Sequence, residues 1–318
     1  MTPPSTSPVA APAGAASPTA YHGVVAAMLT PCRAPGTVDP QGTTRLARVL
    51  VEQGCHGLFV LGSTGELPLL DEDDRAALLV AAREGAGPNA RLYAGVSGTG
   101  VCQTIRYARL AAEAGADVAM IMAPFFLKFD QVELEAYVRA IADASPIPVG
   151  IYHHLRMPSV FEPATVARLA GHPNLVTMKD TSADLDRMRK LIRGTAGQGL
   201  ALFQGSEPLI LPSLEAGAHG CVSALANVAP RWHRELLDAW SRGDREAAKQ
   251  AQQRITHLAG LFRLEPVGRS FAHFAYVLRY AAQAQGWIES ICGMTPGFKP
   301  DPAFTHAVRE HLKAVGLI

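Results

Sequence analysis

A lysine at the end of an apolar run is the residue of this sequence whose position most suggests chemistry. Lys179 follows the run Leu175–Met178 and precedes Asp180. Lysine is seldom fully buried unless it is paired or functional, and a lysine in apolar surroundings can supply a free amine that attacks a carbonyl carbon. The alternative is a lysine that leans out of the fold and pairs with Asp180 or another carboxylate.

A tyrosine ends the preceding apolar run. Tyr152 closes Val149–Tyr152, and His153 and His154 follow it. If the two runs are neighbouring strands, Tyr152 and Lys179 open onto one cavity, where a phenol can relay protons while an imine forms. A tyrosine that caps the core is the commoner role. The two histidines could bind substrate hydroxyls. No metal is expected, because adjacent side chains diverge on an extended backbone and no third ligand is suitably spaced.

Glycine-rich loops follow two other runs. Gly62–Glu66 places two hydroxyl residues between two glycines, and its exposed N–H groups would suit a carboxylate or a phosphate. An ordinary turn explains the same residues. Gly205 follows the run Leu200–Phe203 and lets backbone or ligand approach closely. Cys221, inside an apolar run, is better explained as a small buried side chain than as a nucleophile.

These residues must be positioned by a repeating set of elements. Short apolar runs bounded by glycine, proline or polar turns alternate with segments of helical periodicity. This pattern is typical of strands that are buried on both faces and of the helices that connect them. One such helix begins after Asp130, with Glu133 as its capping-box partner. The predicted strands are Val24–Leu29, Gly57–Leu61, Arg91–Gly95, Val118–Met122, Val149–Tyr152, Leu175–Met178, Leu200–Phe203 and Gly220–Val222.

Strands and helices in alternation predict an α/β fold, a (β/α)8 TIM barrel with chemistry at the carboxyl ends of its strands. An open, doubly wound sheet is the second possibility, but it usually has fewer strands and no G-x-G-x-x-G follows the first one. We predict a disordered tail over residues 1–20, a barrel over 21–240 and a helical extension over 241–318. The stripe Phe271, Phe274, Ala275 and Leu278 in that extension fits either a core or an oligomer contact.

Composition excludes several classes of protein. The chain of 318 residues has a formal net charge of +1, so it carries no overall field for nucleic acid or an anionic membrane. No apolar run is long enough to span a bilayer. The 5 cysteines are scattered and odd in number, which argues against a disulfide framework and favours a reducing, cytoplasmic setting.

Taken in order, the motifs resemble the dihydrodipicolinate synthase/N-acetylneuraminate lyase family of class I aldolases. The similarity runs from about Gly23 to the C-terminus. Any one motif is modestly specific, whereas all of them in order on a repeated strand–helix unit are strongly specific. The matching segments are Gly62–Glu66, Tyr152, Lys179 within Met178–Ser182, and Gly217–Gly220 with Asn227 and Pro230.

The resemblance implies a mechanism. Lys179 would attack the 2-oxo carbon of pyruvate or another 2-oxo acid, and the iminium would act as an electron sink while the C3–C4 bond forms or breaks, or while water leaves. Tyr152 would shuttle protons with Ser63, and Gly62, Ser63 and Thr64 would hold the carboxylate. No metal or organic cofactor is needed, and a homotetramer is expected. The other expected substrate-binding residues are His153, His154, Arg156, Gly205, Val222 and Phe126.

Two departures from the family pattern bear on the substrate. The synthase has an arginine five residues after the tyrosine, where this chain has Met157, with Arg156 one residue early. The synthase also has a relay tyrosine in P-Y-Y, where this chain has Pro124-Phe125-Phe126. We therefore expect a member of the family that is not a typical dihydrodipicolinate synthase.

Three functions remain open on the sequence. The first is a Schiff-base aldolase that cleaves or forms a 2-keto-3-deoxy sugar acid or a related 2-oxo acid. The second is a dehydratase that uses the same imine to expel a hydroxyl group. The third, of another class, is a non-catalytic sensor or scaffold that binds a 2-oxo acid.

Overall fold

Eight parallel strands close into a barrel in the computed structural model, which describes residues 20–318. Each strand pairs with its neighbours in chain order, and the first barrel strand pairs with both the second and the last to close the ring. The predicted (β/α)8 barrel is confirmed. The barrel strands are β1 Gly23–Ala27, β4 Gly57–Val60, β5 Arg91–Gly95, β6 Val118–Ile121, β7 Val149–His153, β8 Leu175–Asp180, β9 Ala201–Gln204 and β10 Gly220–Ser223.

Helices alternate with these strands and continue beyond the last one. Among residues 20–318 the α-helices are α1 Pro40–Glu52, α2 Glu72–Ala86, α3 Val101–Glu113, α4 Gln131–Ala144, α5 Pro163–Leu169, α6 Leu185–Gly194, α7 Ile210–Ala216, α8 Pro230–Ser241, α9 Arg245–Leu258, α10 Phe271–Ala284 and α11 Pro302–Ala314. Short 3-10 helices occupy Leu67–Leu69, Glu207–Leu209, Leu225–Asn227, Ala259–Arg263 and Val267–Arg269. No helix in this part of the chain is long and apolar enough to cross a membrane.

Local sequence explains where these elements begin. The predicted capping box of α4 is present: the Asp130 carboxylate accepts from the Glu133 backbone N–H, and the Glu133 carboxylate accepts from the Asp130 N–H, both at 2.8 Å. Nearly every barrel-strand residue is buried, because the inner face packs against the barrel centre and the outer face against the helices. The helices and strands therefore form one continuous hydrophobic core.

Asn227 stabilises the closed barrel by linking the segment after its last strand to its first strand. Its side-chain Oδ1 accepts from the Leu29 N–H at 3.0 Å, and its Nδ2 donates to the Ala27 carbonyl at 2.7 Å. This side chain is fully buried, so its hydrogen bonds are made away from competing water. The segment after β10 is thereby held to the end of β1.

The structure adds elements that the sequence did not predict. A short antiparallel hairpin, β2 Cys32–Ala34 with β3 Thr37–Val38, follows the first barrel strand. Strands β7 and β8 extend one and two residues beyond the predicted ends, so Lys179 lies within a strand rather than after one. The predicted tail lies almost wholly outside the described residues. The division of the chain at residue 240 stays a prediction.

Candidate active site

Lys179 and Tyr152 face each other across two neighbouring strands. β7 and β8 run parallel, and their register places Tyr152 opposite Lys179. The Lys179 Nζ lies 4.2 Å from the centre of the Tyr152 ring and 5.2 Å from the centre of the Phe59 ring. Both Lys179 and Tyr152 line a cavity of about 320 Å³ beyond the carboxyl ends of the strands. The amine and the phenol are therefore brought together as the strand order predicted.

The alternative partner of Lys179 is engaged elsewhere. The Asp180 carboxylate accepts from Arg187 Nε at 2.7 Å and from the Ser182 backbone N–H at 2.9 Å. Successive strand residues point to opposite faces, so Asp180 faces outward where Lys179 faces the cavity. Lys179 is 4% exposed, and none of the described carboxylates forms an ion pair with it. A surface pair with Asp180 does not account for this lysine.

Tyr152 is held in one orientation by three contacts. Its hydroxyl and the Ser63 Oγ lie 2.8 Å apart, within hydrogen-bond distance. Its ring packs edge-on against Phe59, with ring centres 5.4 Å apart, and against His154, with ring centres 5.7 Å apart. The ring therefore has little freedom, and its hydroxyl meets the loop that carries Ser63 and Thr64.

A buried ion pair fixes the end of the loop that carries Ser63 and Thr64. Glu66 adopts a left-handed backbone with φ of +57° and pairs with Arg279 of α10, both side chains being almost wholly buried. Arg279 also donates to the Thr30 carbonyl at 3.2 Å, and the Thr30 hydroxyl donates to the Gly65 carbonyl at 2.7 Å. The sequence did not predict this pair, because Glu66 and Arg279 belong to motifs far apart in the chain.

Gly205 leaves room beside Lys179. A Cβ at this position would lie 2.4 Å from the Thr181 Oγ1 and 3.1 Å from the Lys179 Cε. The Gly205 N–H donates to the Asp180 carbonyl at 2.7 Å, which holds the two segments together. A side chain at this position would displace the lysine or its neighbour, so the glycine keeps this wall of the cavity open.

The two histidines point in different directions. His154 lines the cavity, and its Nδ1 accepts from the Arg156 N–H at 3.1 Å. Burial lowers the pKa of His154 to about 4, and the positive charges of Lys179 and Arg156 act in the same direction. Its ring is therefore neutral near pH 7.

His153 does not reach the cavity, contrary to the expectation that it binds substrate. It alternates with Tyr152 along β7 and is buried on the outer face of the strand, where neither ring nitrogen has a partner among the described residues. Burial lowers the pKa of His153 to about 4, with Asp180 opposing the shift. Within residues 20–318, no group of three His, Cys, Asp or Glu side chains is arranged to hold a metal.

The remaining predicted substrate-binding residues divide into two groups. Ser63, Thr64 and Arg156 line the cavity, whereas Gly62 and Val222 are buried beside it without lining it. Phe126 departs furthest from the prediction, because its side chain is 91% exposed on a left-handed backbone with φ of +73°.

Several lining residues were not predicted from the sequence. The cavity is also lined by Glu207, three residues after β9, and by Phe262, Phe271 and Phe274 from the C-terminal segment. The stripe that includes Phe271 and Phe274 was visible in the sequence, but its periodicity shows only that one helix face is covered. A neighbouring cavity of about 330 Å³ shares Ser63, His154 and Arg156 and is otherwise mainly apolar; Phe125 is part of its wall.

Comparison with known proteins identifies the group to which this site belongs. The chain matches the Dihydrodipicolinate synthetase family over residues 20–292. The 4-hydroxy-tetrahydrodipicolinate synthase 1 of Streptomyces coelicolor is 42% identical over 233 residues, which are 73% of this chain and 75% of that protein. The 4-hydroxy-tetrahydrodipicolinate synthase of Mycolicibacterium paratuberculosis is 38% identical over 236 residues, covering 74% of this chain and 78% of that one.

A solved structure shows the same likeness. YagE, a prophage protein of the dihydrodipicolinic acid synthase family from E. coli K12 solved in complex with pyruvate, superposes with a TM-score of 0.87 at 26% identity. The superposition covers 94% of this chain and 99% of YagE.

The fold, the site and these relatives together define a class I lyase, an enzyme that holds pyruvate as a Schiff base on a TIM barrel. The chain belongs to the dihydrodipicolinate synthetase family. The prediction of an enzyme is confirmed, and a non-catalytic sensor is no longer needed to explain the chain.

The expectation of an atypical family member is wrong. Curated relatives at 42%, 41% and 38% identity are all named 4-hydroxy-tetrahydrodipicolinate synthases. The structure supplies a physical reason for the error. Arg156 lines the cavity together with Lys179, so an arginine one position early in the loop is still part of the cavity wall. A shift of one residue in an irregular loop is a poor guide to where a long side chain ends.

Proposed function

We propose that this enzyme condenses pyruvate with an aldehyde that carries a carboxylate, the reaction implied by the name 4-hydroxy-tetrahydrodipicolinate synthase. Removing pyruvate from that product leaves the semialdehyde of aspartate as the second substrate. The observation that carries the proposal is the cluster of Lys179, Tyr152 and Ser63 in one cavity, with the amine 4.2 Å from the Tyr152 ring centre and the two hydroxyl oxygens 2.8 Å apart.

Lys179 is the proposed nucleophile. Its Nζ attacks C2 of pyruvate, water leaves, and an iminium forms whose positive charge withdraws electrons from C3. Loss of a proton from C3 gives an enamine, which then attacks the aldehyde carbon. The aromatic walls formed by Phe59 and Tyr152 limit the access of water to the amine, which favours the imine over its hydrolysis.

Tyr152 and Ser63 are the proposed proton carriers. The Tyr152 ring lies next to the Lys179 amine, and the Tyr152 hydroxyl is hydrogen-bonded to Ser63. Tyr152 can therefore donate a proton to the C2 hydroxyl group that leaves as water when the imine forms, and can exchange that proton with Ser63. The N–H groups and hydroxyls of Ser63 and Thr64, with the turn at Gly62, are suited to the pyruvate carboxylate. Gly205 forms the part of the cavity wall beside Lys179.

Arg156 is the proposed ligand for the carboxylate of the aldehyde. Its exposed side chain lines the cavity mouth, and a guanidinium can bind a carboxylate through two parallel hydrogen bonds. His154, neutral near pH 7, can donate or accept a hydrogen bond next to it. An assembly of four copies is proposed from the family resemblance.

Reductive trapping tests the nucleophile directly. Borohydride with pyruvate should add one reduced pyruvate to Lys179, read by peptide mass spectrometry, and Lys179→Ala should abolish the adduct. Lys128→Ala, which removes an exposed lysine that does not line the cavity, is the matched control and should label normally. Labelling of another lysine, or of none, would contradict the assignment.

Product analysis tests the reaction. Pyruvate with aspartate semialdehyde should give the condensed heterocyclic product. Release of pyruvate from 2-keto-3-deoxy sugar acids, with no condensation, would indicate an aldolase instead. Loss of water without carbon–carbon chemistry would indicate a dehydratase.

A further inference from the structure

Glu207, Ser223 and His233 form a hydrogen-bonded array that runs from the cavity into the protein. Glu207 lines the cavity, and its Oε1 lies 3.1 Å from the Ser223 Oγ. The Ser223 Oγ lies 2.9 Å from the His233 Nε2. The His233 Nδ1 lies 2.9 Å from the Ala229 carbonyl oxygen. Ser223 and His233 are at most 1% exposed.

The array holds the Glu207 carboxyl group in one orientation. The Ser223 Oγ donates to the Glu207 Oε1, and the His233 imidazole lies on the other side of that hydroxyl group. The carboxyl group cannot turn away without leaving this buried hydroxyl short of a partner. Burial lowers the pKa of His233 to about 4, so near pH 7 the imidazole is neutral and adds no charge beside Ser223.

The other oxygen of this carboxyl is free to act. The Glu207 Oε1 also accepts from the Ala224 N–H at 3.0 Å, which fixes the carboxyl plane. The Oε2 accepts no hydrogen bond from the residues that the structure describes, and it is not among their enclosed polar atoms. A carboxyl group with one oxygen anchored and one oxygen open to a cavity can exchange protons with a molecule bound there.

We propose that Glu207 is a further acid–base residue of this active site, with Ser223 and His233 as the side chains that hold its carboxyl group in place. When C3 of the iminium loses a proton, the C–H electron pair forms the enamine double bond and the iminium π electrons move to nitrogen. The proton binds the Oε2 of the Glu207 carboxylate, which becomes a carboxylic acid. After addition to the aldehyde, the Oε2 proton passes to the alkoxide oxygen and the carboxylate is restored.

The array also compensates for the absence of a hydroxyl after the fourth barrel strand. Phe125 and Phe126 cannot carry protons, whereas Glu207 places a carboxyl group in the wall of the same cavity as Ser63. Other titratable or charged groups lie around Glu207. They are Lys179 and Tyr152 from the strands, His154 and Arg156 from the loop after β7, and Cys221 on β10.

The test separates imine formation from proton removal, because the inference rests on the proposed Schiff base. Exchange of the pyruvate methyl hydrogens for deuterium, followed by NMR in D2O, needs the imine and a base but no aldehyde. Glu207→Gln should leave borohydride trapping on Lys179 intact and slow the exchange by about 100-fold, the scale of general acid–base catalysis. Ser223→Ala keeps the carboxyl group and removes the hydroxyl that orients it, so it should slow the exchange by a smaller factor.

Gln252→Ala is the matched control. Gln252 donates to the backbone carbonyl of Glu207 at 2.9 Å without touching the carboxyl, so this variant disturbs the same segment and should exchange at the normal rate. Exchange at the wild-type rate in Glu207→Gln would overturn the inference, as would equal slowing in Gln252→Ala. If Glu207→Gln does not fold, Ser223→Ala decides by the same comparison. Failure of trapping in the wild-type protein would instead refute the Schiff base.

Discussion

At the scale of single residues, Lys179 is better placed for a reaction than for stability. It is 4% exposed, it sits against two aromatic rings, and none of the described carboxylates pairs with it. A buried amine without a counter-charge is unfavourable. Residues that act on substrates are commonly held at some expense to the fold.

Replacing this lysine should therefore stabilise the protein while removing imine formation. Lys179→Met keeps the length of the side chain and removes the amine, so we expect the free energy of unfolding to rise by about 1 kcal/mol. Urea unfolding measures this change. Lys190→Met, at an exposed position, is the control and should change little. A marked loss of stability in Lys179→Met would show that the amine supports the fold.

His153 should make the fold sensitive to acid. Its folded-state pKa is about 4, below the ordinary value of 6.5, so between these values the unfolded chain binds more protons and stability falls as the pH is lowered. His153→Leu removes this titration. It should therefore reduce the pH dependence of the free energy of unfolding by up to about 1.4 kcal/mol per pH unit between the two pKa values. Near pH 7 it should cost little, because neither ring nitrogen is hydrogen-bonded to the described residues.

Unfolding curves at pH 4.5 and pH 7 test this effect. His306→Gln, an exposed position on α11, provides the comparison. An equal pH dependence in His153→Leu and the wild-type protein would argue against a buried, neutral His153.

At the scale of elements, α10 stabilises the loop that follows the second barrel strand. Arg279 on this helix neutralises Glu66 inside the protein. Removing one member of a buried pair leaves the other charge uncompensated, so Arg279→Met should lower the free energy of unfolding by about 3–5 kcal/mol. Glu66→Gln combined with Arg279→Met should recover part of this loss.

An exposed pair provides the contrast. Arg234 and Asp238 lie one turn apart on α8 at 44% and 40% side-chain exposure, where an ion pair contributes at most about 1 kcal/mol. Arg234→Met should therefore be nearly neutral in the same denaturation assay. A similar loss in both arginine variants would mean that the packing of the side chain matters, and its charge does not.

Strand positions were predictable from the sequence, and side-chain directions at their ends were less so. Apolar runs bounded by turns located each barrel strand within about two residues, because burial on both faces leaves a continuous signal. Where β7 runs one residue past its predicted end, the alternation of side chains turned His153 away from the cavity. The Glu66–Arg279 pair and the array through His233 join distant segments, and local spacing carries no information about such contacts.

At the scale of the whole molecule, two neighbouring apolar residues are exposed, and we expect the proposed tetramer to cover them. Phe126 is 91% exposed, and Leu127 beside it is also exposed. Large exposed apolar side chains are common at protein interfaces. If the proposed tetramer uses this segment, Phe126→Asp should produce smaller species in analytical ultracentrifugation, whereas Phe126→Tyr should not. An unchanged mass for Phe126→Asp would place the contact elsewhere.

The long-range hydrogen bonds set the order in which the site can be completed during synthesis. Asn227 donates a hydrogen bond to Ala27, 200 residues earlier in the sequence, and Arg279 donates one to Glu66, 213 residues earlier. During synthesis, the loop that carries Ser63 and all eight barrel strands, including the strand with Lys179, leave the ribosome before Arg279 does. Until α10 emerges, Glu66 has no counter-ion and is left to water. The loop that carries Ser63 and Thr64 can therefore take its final form only after α10 has left the exit tunnel.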